Sequence, residues 1–178
     1  MRIKVKFLKE YTIDFSGLKQ GVHQFDFKVG KTFFSLFENE DYNDATFEVD
    51  LALEKQSTMM LLDFSIKGKI NVDCDRCLEP VDIEVECEEH LIVKFGEEMY
   101  EGTDEIVILP ESEHQIDVSP YIYEFIQINI PQRRKHKKSD CNPEVIKKLK
   151  EIEVKNTKQK EAEIDPRWAQ LINLKTEN

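Results

Sequence analysis

Four residues in this chain have the types and spacing to do chemistry. Cys74 and Cys77 form a C-x-x-C, and His136 with Cys141 forms an H-x4-C well downstream. A C-x-x-C turn can place two thiolates on one metal ion without strain, and a tetrahedral zinc site then needs two more nitrogen or sulfur donors, which His136 and Cys141 supply. One C-x-x-C with a distant partner pair is a weaker pattern than two paired motifs, so the same residues also read as reduced thiols without a metal. A redox pair normally opens a helix, where the dipole lowers the thiol pKa. Here the motif sits between two strand-like runs, which argues against thioredoxin-like chemistry. The remaining cysteine, Cys87, falls on the apolar side of its run and reads as a small core residue.

The second group is basic. Arg133, Arg134, Lys135, Lys137 and Lys138 crowd into six residues around His136. Each cation near a phosphate backbone adds affinity through counterion release, so this run suits a salt-sensitive phosphate contact. It equally suits a solvated loop that neutralises an acidic body. Near the end, DPRWAQLINLK carries Trp168 on a polar tether, either an anchor for a partner or a segment that docks on its own body. His23, His90 and His114 have no cysteine or carboxylate arrangement that suggests a triad, and no G-x-S-x-G, P-loop or G-x-G-x-x-G occurs. No catalytic residue is assigned, and the chain is read as a non-enzyme with no small-molecule substrate.

The elements that must hold these groups follow from periodicity. Met60, Leu62, Phe64, Ile66, Ile70 and Val72 recur by twos, with Gly68 as a gap, and Val81, Ile83, Val85 and Cys87 do the same beyond the turn. The pattern predicts an antiparallel hairpin with the C-x-x-C at its tip and the sulfurs near solvent. Phe47–Glu54 is a strand preceding it, so the centre is a three-strand meander. Gly68 suggests a bulge or a close backbone approach. Shorter strands are expected at Ile3–Phe7, Phe25–Val29 and Glu105–Leu109, and a short helix at Lys31–Glu38 packs Phe33, Phe34 and Phe37. A covering helix starts near Asp117 or Ser119 with Pro120 in its first turn and closes at Pro131. Another runs from Pro143 to Lys150, and a last short one follows Asp165-Pro166. The fold class is α+β: a strongly twisted antiparallel sheet or partly open β-barrel covered by a few helices, with a polar C-terminal extension. Residues 1–131 form the β-rich domain, and 132–178 the basic loop and flexible extension.

With 178 residues, 40% hydrophobic and 34% charged, the chain supports one good core. No apolar run reaches the length of a membrane span, and the N-terminus lacks the continuous apolar region of a secretory signal, so a cytoplasmic location is expected. From residue 131 onward there are 13 Lys and Arg against 8 Asp and Glu, which leaves 12 against 28 in residues 1–130. An acidic body argues against a broad nucleic-acid face, attracts basic partners and leaves room for one local basic contact.

Three separated pieces, DCDRCLEP, IDVSPYIYEFIQINIPQRRKHKKSDC and DPRWAQLINLK, together resemble the YceD-like family of large ribosomal RNA subunit accumulation proteins, from about Val49 to the end. Cys74, Arg76 and Cys77 match its C-x-R-C turn, and Asp117, Glu124 and Pro131 match its covering helix. His136, Cys141, Asp165, Pro166, Leu171 and Leu174 match its later positions. The resemblance implies a non-enzymatic role in large-subunit ribosomal RNA accumulation, with ribosomal RNA or a large-subunit ribosomal protein as partner; the acidic body suits a basic one, and Arg76, in the C-x-x-C turn, joins the basic run as a candidate binding residue. The basic loop after Pro131 departs from the more apolar or acidic loop of better-known members.

Overall fold

The structure, a computed structural model, describes residues 9–38, 41–96, 106–137 and 140–152. After a 3-10 turn at Lys9–Tyr11, the elements in chain order are β1 (Thr12–Asp14), β2 (Gly21–Gly30), α1 (Lys31–Ser35), β3 (Asp44–Lys55), β4 (Met59–Asp73), β5 (Pro80–Phe95), β6 (Ile106–Leu109), β7 (Gln115–Asp117), α2 (Ser119–Asn129) and α3 (Pro143–Ile152). Residues 1–142 make one compact unit and 143–178 another, of which α3 is described. The expected strand at Ile3–Phe7, the loop before Glu105, Lys138 and the Trp168 segment lie outside the described residues.

Period-two alternation produces the main sheet, whose strand order is β2-β3-β4-β5-β6. Its inward face holds Phe47, Val49, Leu51 and Leu53 from β3, and Met60, Leu62, Phe64, Ile66, Ile70 and Val72 from β4, all at most 2% exposed. Each such side chain contributes roughly 1.5–3 kcal/mol of burial. The α+β class is as expected, but the sheet is mixed rather than purely antiparallel. β6 runs parallel to β5, pairing Ile92 with Ile106 and Phe95 with Leu109. β2 and β6 remain as edges, so no barrel closes. The register from Asp44↔Asn71 to Lys55↔Met60 is unbroken, and so is that between β4 and β5. Gly68 therefore marks a close approach and not a bulge.

Short pieces cover the inward face. α1 brings Phe33 and Phe34 into the core, and Phe37 follows in the turn after it, all buried as expected of an aromatic core cluster. Phe34 meets Tyr42 edge-on at 5.2 Å, a preferred aromatic geometry. Asp117 opens α2 by accepting hydrogen bonds from the Ser119 backbone N–H (2.9 Å) and hydroxyl (2.7 Å), and Pro120 occupies the first turn. Ile122 and Ile126 bury, Phe125 lies against Phe64 at 5.2 Å, and Asn129 donates to Glu89 of β5 at 2.7 Å. Ile130 turns extended ahead of Pro131, which ends the helix. β1 and β7 pair in a separate two-stranded sheet that buries Ile13 and Ile116.

The outward face follows the charge pattern row by row. Register places Lys28, Glu48, Lys67 and Glu86 side by side, alternating in sign, with Lys67 and Glu86 at 2.9 Å. The adjacent row, Asp26, Asp50, Ser65 and Glu88, carries no cation. Like charges placed directly across from one another cost stability, so this face is strongly negative.

Candidate metal centre

β4 and β5 end at the turn Cys74–Glu79, and local bonds close it into a knuckle. The Leu78 N–H donates to the Cys74 carbonyl and the Cys74 N–H to the Glu79 carbonyl, both at 2.9 Å. Leu78 accepts a left-handed backbone (φ 61°) to let the chain turn back, and its side chain is exposed.

The segment after Pro131 lies over this knuckle as a strap. The Asp75 N–H donates to the Arg134 carbonyl (2.8 Å), and the Arg134 N–H returns a bond to the Asp75 carboxylate (2.7 Å). Asn142 donates to Glu79 at 2.8 Å at the other end. These bonds bring Cys74, Cys77, His136 and Cys141 together, with their four ligand atoms all within 4.8 Å of one another. The distance from Cys77 Sγ to His136 Nδ1 is 3.4 Å. Zinc bonds of about 2.3 Å to sulfur and about 2.0–2.1 Å to nitrogen give tetrahedral edges of similar length. The donor set, three thiols and an imidazole, is one that zinc prefers. His136 Nε2 lies 3.0 Å from the Pro80 carbonyl. A proton on Nε2 would bond that carbonyl and leave the Nδ1 lone pair for a metal, the second-sphere arrangement common around ligating histidines.

The strap corrects one expectation. Cys74 and Cys77 do not stand near solvent; both are buried, as is Cys141, because a polar segment remote in sequence covers the turn. That cover is only one segment thick, so the thiols keep polar company. Burial works against a Cys74 thiolate. The backbone N–H groups of Cys77, His136 and Arg76, with the His136 side chain, outweigh it and hold the thiol down to about 6. Cys77 is likewise lowered: burial opposes it, and the backbone of Glu79 and Asn142 prevails. Burial and the neighbouring sulfurs of Cys77 and Cys74 push Cys141 up to about 11. His136 is raised, chiefly by the Cys74 side chain. Cys74 is fully buried, with its sulfur among the other three ligand groups.

Of the expected binding residues, Arg76 stays at the centre, with Nη1 3.5 Å from Cys141 Sγ. Arg134 turns inward, its Nε 3.8 Å from Asp75. Arg133, Lys135 and Lys137 point to solvent. Sequence reasoning missed the residues that fasten the strap, Asp75, Glu79 and Asn142, because polar ties between remote loops have no periodic signature. It also missed that His90 lies 2.6 Å from Asp63, directly opposite in register. That pair is exposed.

Cys87 is buried on β5 as expected, and burial, with Glu89 adding to it, pushes its thiol up to about 11. A thiol so held reacts slowly, since only the thiolate is nucleophilic. At pH 7.5 in the native state, Cys87 is expected to resist iodoacetamide and to label only on unfolding; peptide mass mapping before and after denaturant checks this.

The fold and the cluster define a small α+β protein with a buried three-cysteine, one-histidine centre at one end of its sheet. The chain belongs to the YceD family: the model described as "Large ribosomal RNA subunit accumulation protein YceD" matches residues 62–175, which include all four cluster residues. No curated protein and no solved structure matches the chain. The resemblance read from the motifs, expected from about Val49 to the end, is thus borne out over residues 62–175, and the family description ties its members to large-subunit ribosomal RNA accumulation.

Proposed function

We propose that this chain supports accumulation of large-subunit ribosomal RNA and assembly of the large ribosomal subunit without catalysis, by docking on ribosomal RNA, a basic large-subunit ribosomal protein, or both. The setting is the cytoplasm. Zinc at Cys74, Cys77, His136 and Cys141 clamps the strap onto the knuckle and so shapes the docking patch. The observation that carries this reading is the meeting, inside the family match, of a thiol-rich turn and a cationic strap that lie far apart in the chain. Around that meeting point are the guanidinium of Arg76, the cations Arg133, Lys135 and Lys137, and the exposed Leu78. The negative outer face of the sheet suits a Lys- and Arg-rich protein and steers its approach. Lys138 and Trp168, which lie outside the described residues, are further contact residues in this proposal.

A tagged full chain recovered from growing cells, with and without nuclease, tests it. Large-subunit components are expected in the untreated sample, and those held through RNA are lost on nuclease treatment. Depletion of the protein is expected to lower the ratio of large to small subunits on a gradient. An unchanged ratio together with no large-subunit component in the pull-down would reject the proposal and leave a zinc-organised interaction module with no ribosomal role.

A further inference from the structure

The strap has a two-sided arrangement that a merely neutralising loop does not need. Along residues 133–137 exposure alternates: Arg133, Lys135 and Lys137 are exposed, while Arg134 and His136 are partly covered. The inward pair is spoken for, Arg134 by Asp75 and His136 by Cys77 and the Pro80 carbonyl. The outward three make no ion pair with another described residue, although the body beneath them is rich in carboxylates. Every second residue of an extended chain advances about 6.6 Å. That step is comparable to the one between successive phosphates of an extended nucleic-acid strand. Because the strap is bonded to the knuckle at both ends, the backbone that carries the three cations is already ordered before a ligand binds.

A groove of about 310 Å³ adjoins the start of the row, lined by Asp41, Tyr42, Gln127, Ile130, Gln132 and Arg134 among others. Gln127 Oε1 accepts a hydrogen bond from the Tyr42 hydroxyl (2.8 Å), which sets the orientation of the amide. Its Nε2 is buried and has no hydrogen-bond partner among the described residues. A buried, unpaired N–H is costly and calls for an acceptor. Gln127 thus brings an unspent donor to the wall of the groove, beside the apolar Ile130 and Pro131, groups that can read the edge and face of a nucleobase.

We propose that the strap and groove take one single strand of RNA, with successive phosphates on Arg133, Lys135 and Lys137 and one base entering the groove against Gln127. This rests on the RNA-contact half of the proposed function and commits it to an unpaired strand. A duplex would hold its bases stacked away from the groove, whereas an unpaired strand can turn one out.

The test uses the purified full chain under reducing conditions and two fluorescein-labelled probes, a 12-nucleotide oligouridylate and an RNA duplex of equal length, read by anisotropy across a salt series. The single strand is expected to bind more tightly than the duplex. Replacing all three outward cations (R133A/K135A/K137A) is expected to reduce the slope of log affinity against log salt by about 2, at roughly 0.7 per phosphate contact. It should leave the melting temperature unchanged, since these side chains make no ion pair with another described residue. Lys67→Ala with Lys69→Ala, on the sheet face, should leave the slope unaltered. Gln127→Glu keeps the acceptor for Tyr42 but removes the donor, and is expected to weaken oligouridylate binding several-fold. No binding by the natural chain, an unaltered slope in the triple variant, or equal affinity for the duplex would overturn the inference; unchanged binding by Gln127→Glu would remove the base from the groove. A protein that fails these measurements yet still recovers the large subunit from cells keeps its proposed function and loses only this contact.

Discussion

Gly68→Ala is expected to destabilise the protein by about 3–5 kcal/mol, placing one added methyl among the most damaging single changes available. Elsewhere, removing a glycine at a compatible position stabilises a chain by about 0.4–1 kcal/mol through the unfolded state, so the predicted sign is opposite. A Cβ on Gly68 would lie 2.2 Å from the Thr46 carbonyl oxygen and 2.6 Å from both the Phe47 Cα and its ring. Two of those atoms are backbone of β3, fixed by ladder bonds along the whole strand pair. The ring cannot move freely either, since Phe47 is buried and packs against Phe34 at 6.2 Å. Strand β3 would have to shift, carrying its core residues with it. Denaturant melts should show a lower midpoint with an unchanged slope. Adding Phe47→Leu should not restore stability, because the Thr46 carbonyl stays in place. A melt indistinguishable from that of the natural chain would mean that β3 and β4 are not this close.

What could be read from the sequence divides along the same physical line. Strands β3, β4 and β5 are legible because one face is buried and the other is charged, so their alternation records both the strand and its facing. The same holds for α2, whose Asp117, Pro120 and Pro131 punctuate an apolar stripe. The direction of β6 is not legible, since four apolar residues look alike whether they run parallel or antiparallel to β5. Strands β1 and β7, of three residues each, are too short to show a period. At the site, the donor atoms were named by residue type, and the family match followed the same motifs. Their burial was not foreseen. It comes from a strap held by Asp75, Arg134, Glu79 and Asn142, a cover made of polar bonds and not of apolar surface. Hydrophobic pattern records what packs in a core; it is silent about loops tied together through carboxylates and amides.

Stoichiometric zinc, one ion per chain, is expected in protein purified under reducing conditions, and its loss should be felt locally and strongly. Cys74, Cys77 and Cys141 stand outside the hydrophobic core cluster, which is complete without them. Chelation, Cys74→Ser or Cys77→Ser should therefore leave the sheet folded, unlike the collapse of a small zinc finger. What should come free is the strap, whose amides should lose protection from hydrogen exchange between Arg133 and Asn142. A metal held at a thousand times its dissociation constant adds about 4 kcal/mol to stability. At roughly 2–4 °C per kcal/mol for a protein of this size, its removal should lower the melting temperature by about 10 °C where unfolding of the sheet and release of the metal are coupled. The pH dependence has a definite sign. At pH 7, Cys74, held down to about 6, is already mostly thiolate, whereas Cys141, pushed up to about 11, still carries its proton. Binding must expel that proton, so affinity should rise about tenfold per pH unit for each proton released at neutral and mildly alkaline pH. As the pH falls, His136, whose pKa is raised, must also give up a proton to bind, and below pH 6 so must the Cys74 thiol, so the dependence should steepen. Metal analysis together with a competition titration at several pH values measures both. Protein that carries no zinc and gains no melting temperature when zinc is added would show that the four residues form a reduced thiol cluster, with the strap held by its polar bonds alone.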